Sequence, residues 1–208
     1  MNINNEVTAL NDPPRLVLLL GGARSGKSTF AERLAVQSGR SVAFIATAIA
    51  TDEDMRDRIA RHQASRAANW QTIEEPLHLV NAVQQAAVVA DVIILDCLTV
   101  WLSNWLFSQG DAEQLEEDTA ISAQYYAGAL QEIDVLLQVV AQLAPGKTLI
   151  VVTNEVGLGI VPAYSLGRIY RDVLGLVNQR VAAAATRVYL MIAGLGVDIK
   201  RLHETATL

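Results

Sequence analysis

The segment from Gly21 to Ser28 constrains the fold more than any other part of the chain, because it matches the motif G-x-x-x-x-G-K-[ST]. It follows the apolar run of residues 16–20 directly. Its glycines let the backbone curl so that successive N–H groups face an anion, and a helix starting near Lys27 adds the positive end of its dipole. The pattern predicts a strand, a phosphate-binding loop and a helix, and it favours this interpretation over an ordinary glycine turn.

The residues of this loop have distinct expected tasks. Lys27 should act in catalysis by reaching the β- and γ-phosphates of a nucleotide, Ser28 should place its hydroxyl on Mg²⁺, and Thr29 should be a secondary phosphate contact. The cation would neutralise charge in the transition state of phosphoryl transfer. The predicted nucleotide-binding residues here are Gly21, Gly22, Ala23, Arg24, Ser25, Gly26, Lys27, Ser28 and Thr29.

The rest of the chain alternates short apolar runs with longer helical stretches, as a wound parallel sheet requires. Candidate strands cover residues 16–20, 41–46, 92–96, 148–153 and 187–193. Candidate helices lie near residues 27–37, 52–66, 77–89, 98–107, 114–143 and 165–185. We therefore expect an α/β fold of the P-loop NTPase (RecA-like) type, with a mostly parallel central sheet flanked by helices.

Length and composition indicate how many domains the chain forms and which class of partner it binds. A chain of 208 residues with 51% hydrophobic positions suits one catalytic domain over residues 15–208, after a flexible tail over residues 1–14. The formal charge of −6 argues against a general nucleic-acid surface. A single cysteine, Cys97, and the lack of an export signal or of an apolar run that could cross a bilayer predict a cytoplasmic protein.

Asp96 closes the apolar strand of residues 92–96, and a carboxylate in this place holds Mg²⁺ or its waters in P-loop enzymes. Taken alone, an aspartate at the end of a strand more often caps the following helix, which here begins near Leu98. The presence of Lys27 and Ser28 makes the metal role the stronger hypothesis. Asp96 and Ser28 are therefore the candidate metal ligands.

Missing motifs narrow the class of protein further. A GTPase switch needs an Asn-Lys-x-Asp motif that reads the base, and the nearest candidate, residues 153–156, lacks both the lysine and the aspartate. A nucleic-acid motor needs basic stripes or a second domain, and the sequence shows neither. The remaining function for a P-loop protein of this kind is transfer of a phosphoryl or nucleotidyl group to a small molecule.

The charged helix expected after the second strand carries Arg58, His62 and Arg66 on one face, at i, i+4 and i+8. The two guanidiniums should keep the ring neutral and grip phosphate oxygens. A neutral imidazole beside a triphosphate can attack the α-phosphorus, expel pyrophosphate and carry the nucleotide as a phosphoramidate. From the spacing alone, however, a surface helix that merely covers the core is the better interpretation.

Four segments together resemble one enzyme family. They are GGARSGKS at 21–28, the segment 46–62 that opens with ATA and closes with His62, Asn69-Trp70-x-Thr72-x-Glu74, and TNEVGLGIVP at 153–162. The chain resembles bifunctional adenosylcobinamide kinase/adenosylcobinamide-phosphate guanylyltransferase from about Leu16 to Lys200. The resemblance implies phosphorylation of the aminopropanol hydroxyl of adenosylcobinamide by ATP or GTP. It further implies transfer of GMP from GTP to that phosphate through a guanylylated histidine, giving adenosylcobinamide-GDP.

The resemblance also implies roles for individual residues. His62 corresponds to the histidine nucleophile of the family, since His78 and His203 fall outside the matching segment. Some relatives have a glutamate where this chain has Asp96, which puts direct contact there in doubt but not the anionic role. The nucleotide or metal contacts implied in this way are Ala46, Thr47, Ala48, Gln63, Ala64, Ser65, Arg66, Glu74 and Asp96.

The expected oligomeric state rests on the resemblance too. Members of this family are homotrimers with nucleotide sites near subunit boundaries, so the resemblance implies a homotrimer. The apolar segment of residues 101–107 suits an interface, with Trp101 and Trp105 one helical turn apart. The same spacing suits the core of one chain equally well, and both interpretations stay open.

Asn154 and Glu155 follow the strand expected at 148–153, at the edge where open α/β sheets bind ligands. Together with Arg58 they are candidate substrate or phosphate contacts, although Asn154 and Glu155 could equally satisfy loop amides. Two other functions also stay open at this point. One is a small-molecule kinase without guanylyltransferase activity, and the other is a nucleotide-sensing binding protein.

Overall fold

The computed structural model describes residues 15–49, 53, 56–57, 67–110 and 119–206. Its elements in chain order are β1 (Leu16–Gly21), α1 (Lys27–Gln37), β2 (Val42–Ala46), β3 (Gln71–Glu74), α2 (Leu79–Val89), β4 (Val92–Asp96), α3 (Leu98–Ser108), α4 (Thr119–Gln142), β5 (Thr148–Asn154), α5 (Ser165–Ala184), β6 (Arg187–Ile192), β7 (Leu195–Asp198) and α6 (Ile199–Ala206). None of the helices described is long and apolar enough to cross a membrane.

Seven strands form one sheet in the order β3-β2-β4-β5-β1-β6-β7. Every neighbouring pair is parallel except β6 with β7, which confirms the expected α/β fold with a mostly parallel sheet. Strand β5 lies between β1, which leads into the loop at 21–28, and β4, which ends in Asp96. Because parallel strands point the same way, their carboxyl ends meet at one edge of the sheet, here called the carboxyl edge.

The alternation of side chains along each strand divides the core between the two faces of the sheet. Ile150 and Val152 of β5 pack in the cluster that contains Ala31 of α1. Leu149 and Val151 pack in the larger cluster, to which α2, α3, α4 and α5 contribute. One face is therefore covered by α1, and the other by four helices.

The elements predicted from the sequence agree with the structure wherever it describes them, with bounds that differ by a few residues. Three elements were not expected, namely β3, β7 and α6. Strands β3 and β7 are four-residue strands at the two ends of the sheet, and most of their side chains are exposed. They therefore lack the continuous apolar run by which a buried strand is recognised.

The two tryptophans of α3 lie in the core of the chain. Trp101 is 1% exposed and Trp105 is 9% exposed. The indole N–H of Trp101 donates a 2.9 Å hydrogen bond to the carbonyl of Leu77, and the ring of Trp105 meets Tyr125 edge-on. Of the two interpretations that the sequence left open, the structure therefore supports the core rather than an interface.

Candidate active site

The loop between β1 and α1 is tied to the strand pair β6–β7 by its backbone. The N–H of Gly194 donates a 2.9 Å hydrogen bond to the carbonyl of Ser25. Gly26 has a φ of +93°, and a Cβ there would lie 3.1 Å from Cα of Gly194, so the close approach favours glycine. Ser25 is 8% exposed, and its Oγ has no hydrogen-bond partner in the described structure. Since buried polar atoms are nearly always hydrogen-bonded, this hydroxyl indicates that a polar ligand belongs in the loop.

The first turn of α1 adds backbone donors to the loop. The helix starts at Lys27 after the N-cap Gly26, and no side chain caps it. The first N–H groups of a helix lack intrahelical partners and carry the positive end of the helix dipole. Ser28 is half-buried and Thr29 is exposed in this turn, so both predicted hydroxyl contacts are accessible. The local geometry is that of an anion site.

Lys27 lies folded back onto the loop. Its Nζ donates hydrogen bonds of 3.0 Å to the carbonyl of Gly21 and 2.7 Å to that of Gly22. Burial lowers the pKa of Lys27 below its ordinary value, and this outweighs the opposite effect of Cys97 and Asp96. None of the ion pairs found among the described residues includes Lys27. The ammonium can therefore exchange neutral carbonyl partners for phosphate oxygens, which bind a cation more strongly.

Asp96 is the last residue of β4, and it continues the face on which Ile94 packs toward α1. Helix α3 has Cys97 at its N-cap and no side-chain cap, so the alternative that Asp96 caps this helix is wrong. In the described part of the chain, no group of three or more His, Cys, Asp or Glu residues could hold a metal. A carboxylate and the Ser28 hydroxyl nevertheless suit Mg²⁺, because this ion takes one or two protein oxygens and completes its shell with phosphates and water.

Strand β5 brings Asn154 between the loop and Asp96. Asn154 pairs with Gly21 of β1, and Asp96 pairs with Val152, two residues earlier in β5. Asn154 points to the same face as Val152, which is the face covered by α1. Asp96 and Asn154 thus both lie at the carboxyl edge on the side where Lys27 begins α1.

Glu155 contacts the loop through its backbone. Its N–H donates a 3.1 Å hydrogen bond to the carbonyl of Gly21. Its carboxylate accepts a 2.6 Å hydrogen bond from the N–H of Gly157. The side chain therefore satisfies a loop amide, one of the two roles that the sequence allowed, and its contact with a substrate stays a prediction.

Ala46 and Glu74 extend the same edge away from the loop. Ala46 pairs with Asp96 on one side and with Glu74 on the other. Glu74 is exposed at the end of β3. The order along the edge is thus Glu74, Ala46, Asp96, Asn154 and Gly21, which brings together predicted residues from five strands.

Thr47 joins the ends of β2 and β4. It is fully buried, and its hydroxyl donates to the carbonyl and accepts from the N–H of Cys97, both at 2.8 Å. Its carbonyl accepts a 2.8 Å hydrogen bond from Asn104, while the next residue, Ala48, is half-buried. Burial raises the pKa of Cys97 to about 11, so its thiol is neutral and a weak nucleophile at neutral pH. Thr47 is thus internally bonded, and a nucleotide contact through it stays a prediction.

The remaining predicted site residues lie outside the described part of the chain. All six fall between Asp57 and Ala67, the described residues on either side of them. Their roles therefore stay predictions. They are Arg58, His62, Gln63, Ala64, Ser65 and Arg66.

Sequence reasoning missed two residues beside the site. Thr99 of α3 and Asn178 of α5 both hydrogen-bond to the backbone of Asn154. Asn178 is buried among apolar neighbours of α5, including Leu174 and Val181. A single polar residue in that apolar row was the signal that could have identified it.

A cavity of about 220 Å³ lies between α3 and the start of α5, away from the phosphate loop. Ser103 and Phe107 line it on one side, and Tyr164 and Tyr170 on the other. None of these residues is a predicted site residue. The predicted phosphate contacts are instead the hydrogen-bond donors of the loop and of the first turn of α1.

Comparisons with known proteins assign the chain to a family. The family model described as cobinamide kinase / cobinamide phosphate guanyltransferase matches residues 17–199. "Bifunctional adenosylcobalamin biosynthesis protein CobP" of Pseudomonas aeruginosa is 43% identical over 183 residues, which are 88% of this chain and 96% of that protein. "Bifunctional adenosylcobalamin biosynthesis protein CobU" of Salmonella typhimurium is 41% identical over 191 residues, with coverages of 89% and 99%.

Among solved structures, a prototypical ATPase from the type III secretion system of pathogenic bacteria is 10% identical, with a TM-score of 0.50. The match covers 100% of this chain and 67% of that one, and it supports the expected P-loop NTPase fold alone. The sequence matches carry the assignment to a family. The chain belongs to the cobinamide kinase / cobinamide phosphate guanyltransferase family.

Proposed function

We propose that the carboxyl edge phosphorylates adenosylcobinamide with ATP or GTP and then transfers GMP from GTP to the new phosphate, giving adenosylcobinamide-GDP. Membership in the bifunctional family supports both reactions. The observation that carries the proposal is the placing of Lys27, Asp96 and Asn154 at one edge of the sheet, beside a loop of backbone donors.

In the first reaction, the chain binds and orients the triphosphate. Backbone N–H groups of the loop and of the first turn of α1 hold the phosphates, and Lys27 leaves its carbonyl partners to contact the β- and γ-phosphates. The acceptor hydroxyl attacks the γ-phosphorus and releases its proton to water, the bond from this phosphorus to the bridging oxygen breaks, and a nucleoside diphosphate leaves. Fixed positive groups favour this step because charge accumulates on the transferring oxygens.

The residues present fit a magnesium ion beside the phosphates. Ser28 and Asp96 would hold it, directly or through water, since both offer oxygen atoms at the carboxyl edge. When bound, Mg²⁺ neutralises phosphate charge and draws electron density from the bond that breaks. The chain itself holds Ser28 in the first turn of α1 and Asp96 at the end of β4.

For the second reaction, we propose His62 as the nucleophile. A ring nitrogen of His62 attacks the α-phosphorus of GTP, a P–N bond forms, and pyrophosphate leaves. An oxygen of the corrinoid phosphate then attacks the same phosphorus, the P–N bond breaks, and the histidine is regenerated. Arg58 and Arg66 would bind phosphate oxygens, while residues 63–65, Ala46, Ala48 and Glu74 would contact the guanine nucleotide.

The finer properties of the enzyme are proposals as well. We propose a homotrimer that works in the cytoplasm as one catalytic domain over residues 15–208. Exposed apolar side chains support the formation of an oligomer, notably Leu158 at 88% and Ile160 at 96% exposure. Light scattering on the purified protein should give the mass of three chains, whereas the mass of one chain would contradict the trimer.

The proposed function is tested by following two labels into protein and product. The protein is incubated with Mg²⁺ and α-labelled GTP, denatured, and mapped by mass spectrometry, and the same labelled nucleotide is then supplied with the corrinoid phosphate. We expect a GMP adduct on His62, one pyrophosphate released per adduct, and transfer of the label to the corrinoid. Phosphorylated corrinoid without an adduct would indicate a kinase alone, and nucleotide binding without any turnover would indicate a sensor.

A further inference from the structure

The backbone of Asn154 is held by side chains where a neighbouring strand is missing. Its N–H donates a 2.7 Å hydrogen bond to Oγ1 of Thr99, and its carbonyl accepts a 3.0 Å hydrogen bond from Nδ2 of Asn178. Strand β4 ends at Asp96, opposite Val152, so it offers no ladder partner two residues further along β5. Thr99 of α3 and Asn178 of α5 take the place of that strand.

Asn178 is fixed in a single orientation. Its Oδ1 accepts a 2.8 Å hydrogen bond from the hydroxyl of Thr153, while its Nδ2 is bonded to Asn154. Asn178 is 7% exposed and Thr153 is fully buried. The position therefore requires one acceptor and one donor on the same short side chain, which an amide provides and a carboxylate does not.

Thr99, the other partner of Asn154, is held in turn by α5. The hydroxyl of Tyr170 donates a 2.9 Å hydrogen bond to the carbonyl of Thr99. Helices α3 and α5, on one face of the sheet, thus hold the end of β5 through hydrogen bonds. Because side chains alternate along a strand, Thr153 points to these helices and Asn154 points to the opposite face, toward α1.

We propose that Asn178 is a positioning residue for phosphoryl transfer. It sets the end of β5 so that the carboxamide of Asn154, between the phosphate loop and Asp96, meets the transferring phosphoryl group. Asn178 itself touches neither nucleotide nor corrinoid and acts through Asn154. This inference rests on the proposed kinase reaction. It adds Asn178, which lies outside the loop motif, to the residues on which that reaction depends.

The test compares Asn178→Asp with Gln179→Glu, the same amide-to-acid change at the next, exposed position of α5. Transfer of γ-phosphoryl to adenosylcobinamide is measured for both variants, together with KM for ATP and the melting temperature. We expect Asn178→Asp to lower kcat roughly 10- to 100-fold, as small misplacements of catalytic groups do. We expect KM for ATP to stay within about twofold of wild type, because uniform binding is unchanged. Gln179→Glu should match wild type.

A double-mutant cycle separates positioning from a general structural effect. In an Asn154→Ala background, Asn178→Asp should cause no further loss of kcat, because the group that it positions is absent. Wild-type kcat in Asn178→Asp, or losses that multiply in the double variant, would overturn the inference. Active wild type with an unaffected Asn178→Asp overturns this inference alone, whereas inactive wild type overturns the proposed function too.

A second pair of variants covers the case in which Asn178→Asp does not fold. Thr99→Val removes the other side-chain contact to Asn154, and Thr99→Ser keeps the hydroxyl. We expect Thr99→Val to lower kcat without a matching rise in KM for ATP, and Thr99→Ser to restore most of the rate. Equal rates in the two variants would overturn the proposal that side-chain contacts at the end of β5 position the reacting group.

Discussion

The ammonium of Lys27 lies 2.7 Å from the carbonyl oxygen of Gly22, so the lysine that we expect to act in catalysis is hydrogen-bonded to the phosphate loop. Its second hydrogen bond is to the carbonyl of Gly21, the residue at which β1 ends. These bonds hold the charge over the loop before a nucleotide arrives. We therefore expect nucleotide binding to require only an exchange of these partners by Lys27.

Lys27→Ala should reduce kcat/KM for phosphorylation of adenosylcobinamide by about 100-fold or more, because the transferring phosphoryl group loses its closest positive side chain. The matched control is Lys147→Ala, since Lys147 is paired with Asp91 at the opposite edge of the sheet. Steady-state kinetics on both variants decide the matter. Full activity in Lys27→Ala would refute the assignment of the phosphate loop.

The alkaline side of the pH–rate profile should report the ionisation of Lys27. Burial lowers its pKa from the ordinary value of 10.5, so the charge is lost as pH rises through a window below that value. We expect kcat/KM to fall in this window, and kcat to hold to higher pH because bound phosphates favour the ammonium. Stability has the opposite sign, since the unfolded chain then binds the extra proton and the contribution of this group to stability rises with pH.

The control for this profile is Lys27→Arg, in which the guanidinium keeps its charge at alkaline pH. The variant should be slower than wild type but should lack the alkaline fall. An identical fall in both proteins would assign it to another group.

Asp96→Asn should raise the Mg²⁺ concentration needed for half-maximal activity and should lower kcat on the order of 100-fold, since the metal side of the site loses its carboxylate. Nucleotide binding without Mg²⁺ should change little. Asp91→Asn, a substitution just before the same strand, serves as the control and should behave as wild type. Unchanged Mg²⁺ titrations of Asp96→Asn would remove Asp96 from the metal site.

The sequence revealed the parts of the site that lie in a continuous segment. The loop at 21–28 has its own motif, and β4 and β5 have apolar runs because both faces of these strands are buried. It could not show that β5 lies between β1 and β4, because strand order is set by packing of the whole sheet. The position of Asn154 between Gly21 and Asp96 follows only from that order.

Sequence patterns also could not predict contacts between elements that lie far apart along the chain. Asn178 and Thr99 meet Asn154 from α5 and α3, far apart along the chain. Trp105 has a spacing that suits a core and an interface alike, and only the packing of α4 against it resolves the choice. In each case the information is tertiary, since it depends on which helices cover which face.

The packing of α4 against α3 can be tested with two glycines. A Cβ at Gly128 of α4 would lie 2.8 Å from the ring of Trp105, whereas a Cβ at Gly175 of α5 would meet nothing within 4 Å. Gly128→Ala should therefore cost about 1–3 kcal/mol of unfolding free energy through overpacking. Gly175→Ala should stabilise by up to about 1 kcal/mol, the helix propensity difference. Urea unfolding measures both, and a Gly128→Ala variant as stable as Gly175→Ala would contradict the described packing.

We propose that one chain performs two transfers, the second of them through His62. The most direct measurement supplies adenosylcobinamide, γ-labelled ATP and α-labelled GTP to wild type, His62→Ala and, as a control for loss of another imidazole, His78→Ala. We predict that His62→Ala still places the γ-label on the corrinoid at nearly the wild-type rate but accumulates the phosphate without adding GMP, while wild type and His78→Ala complete both steps. GMP transfer by His62→Ala at the wild-type rate, or a wild type that carries out only one of the two transfers, would contradict this two-step mechanism.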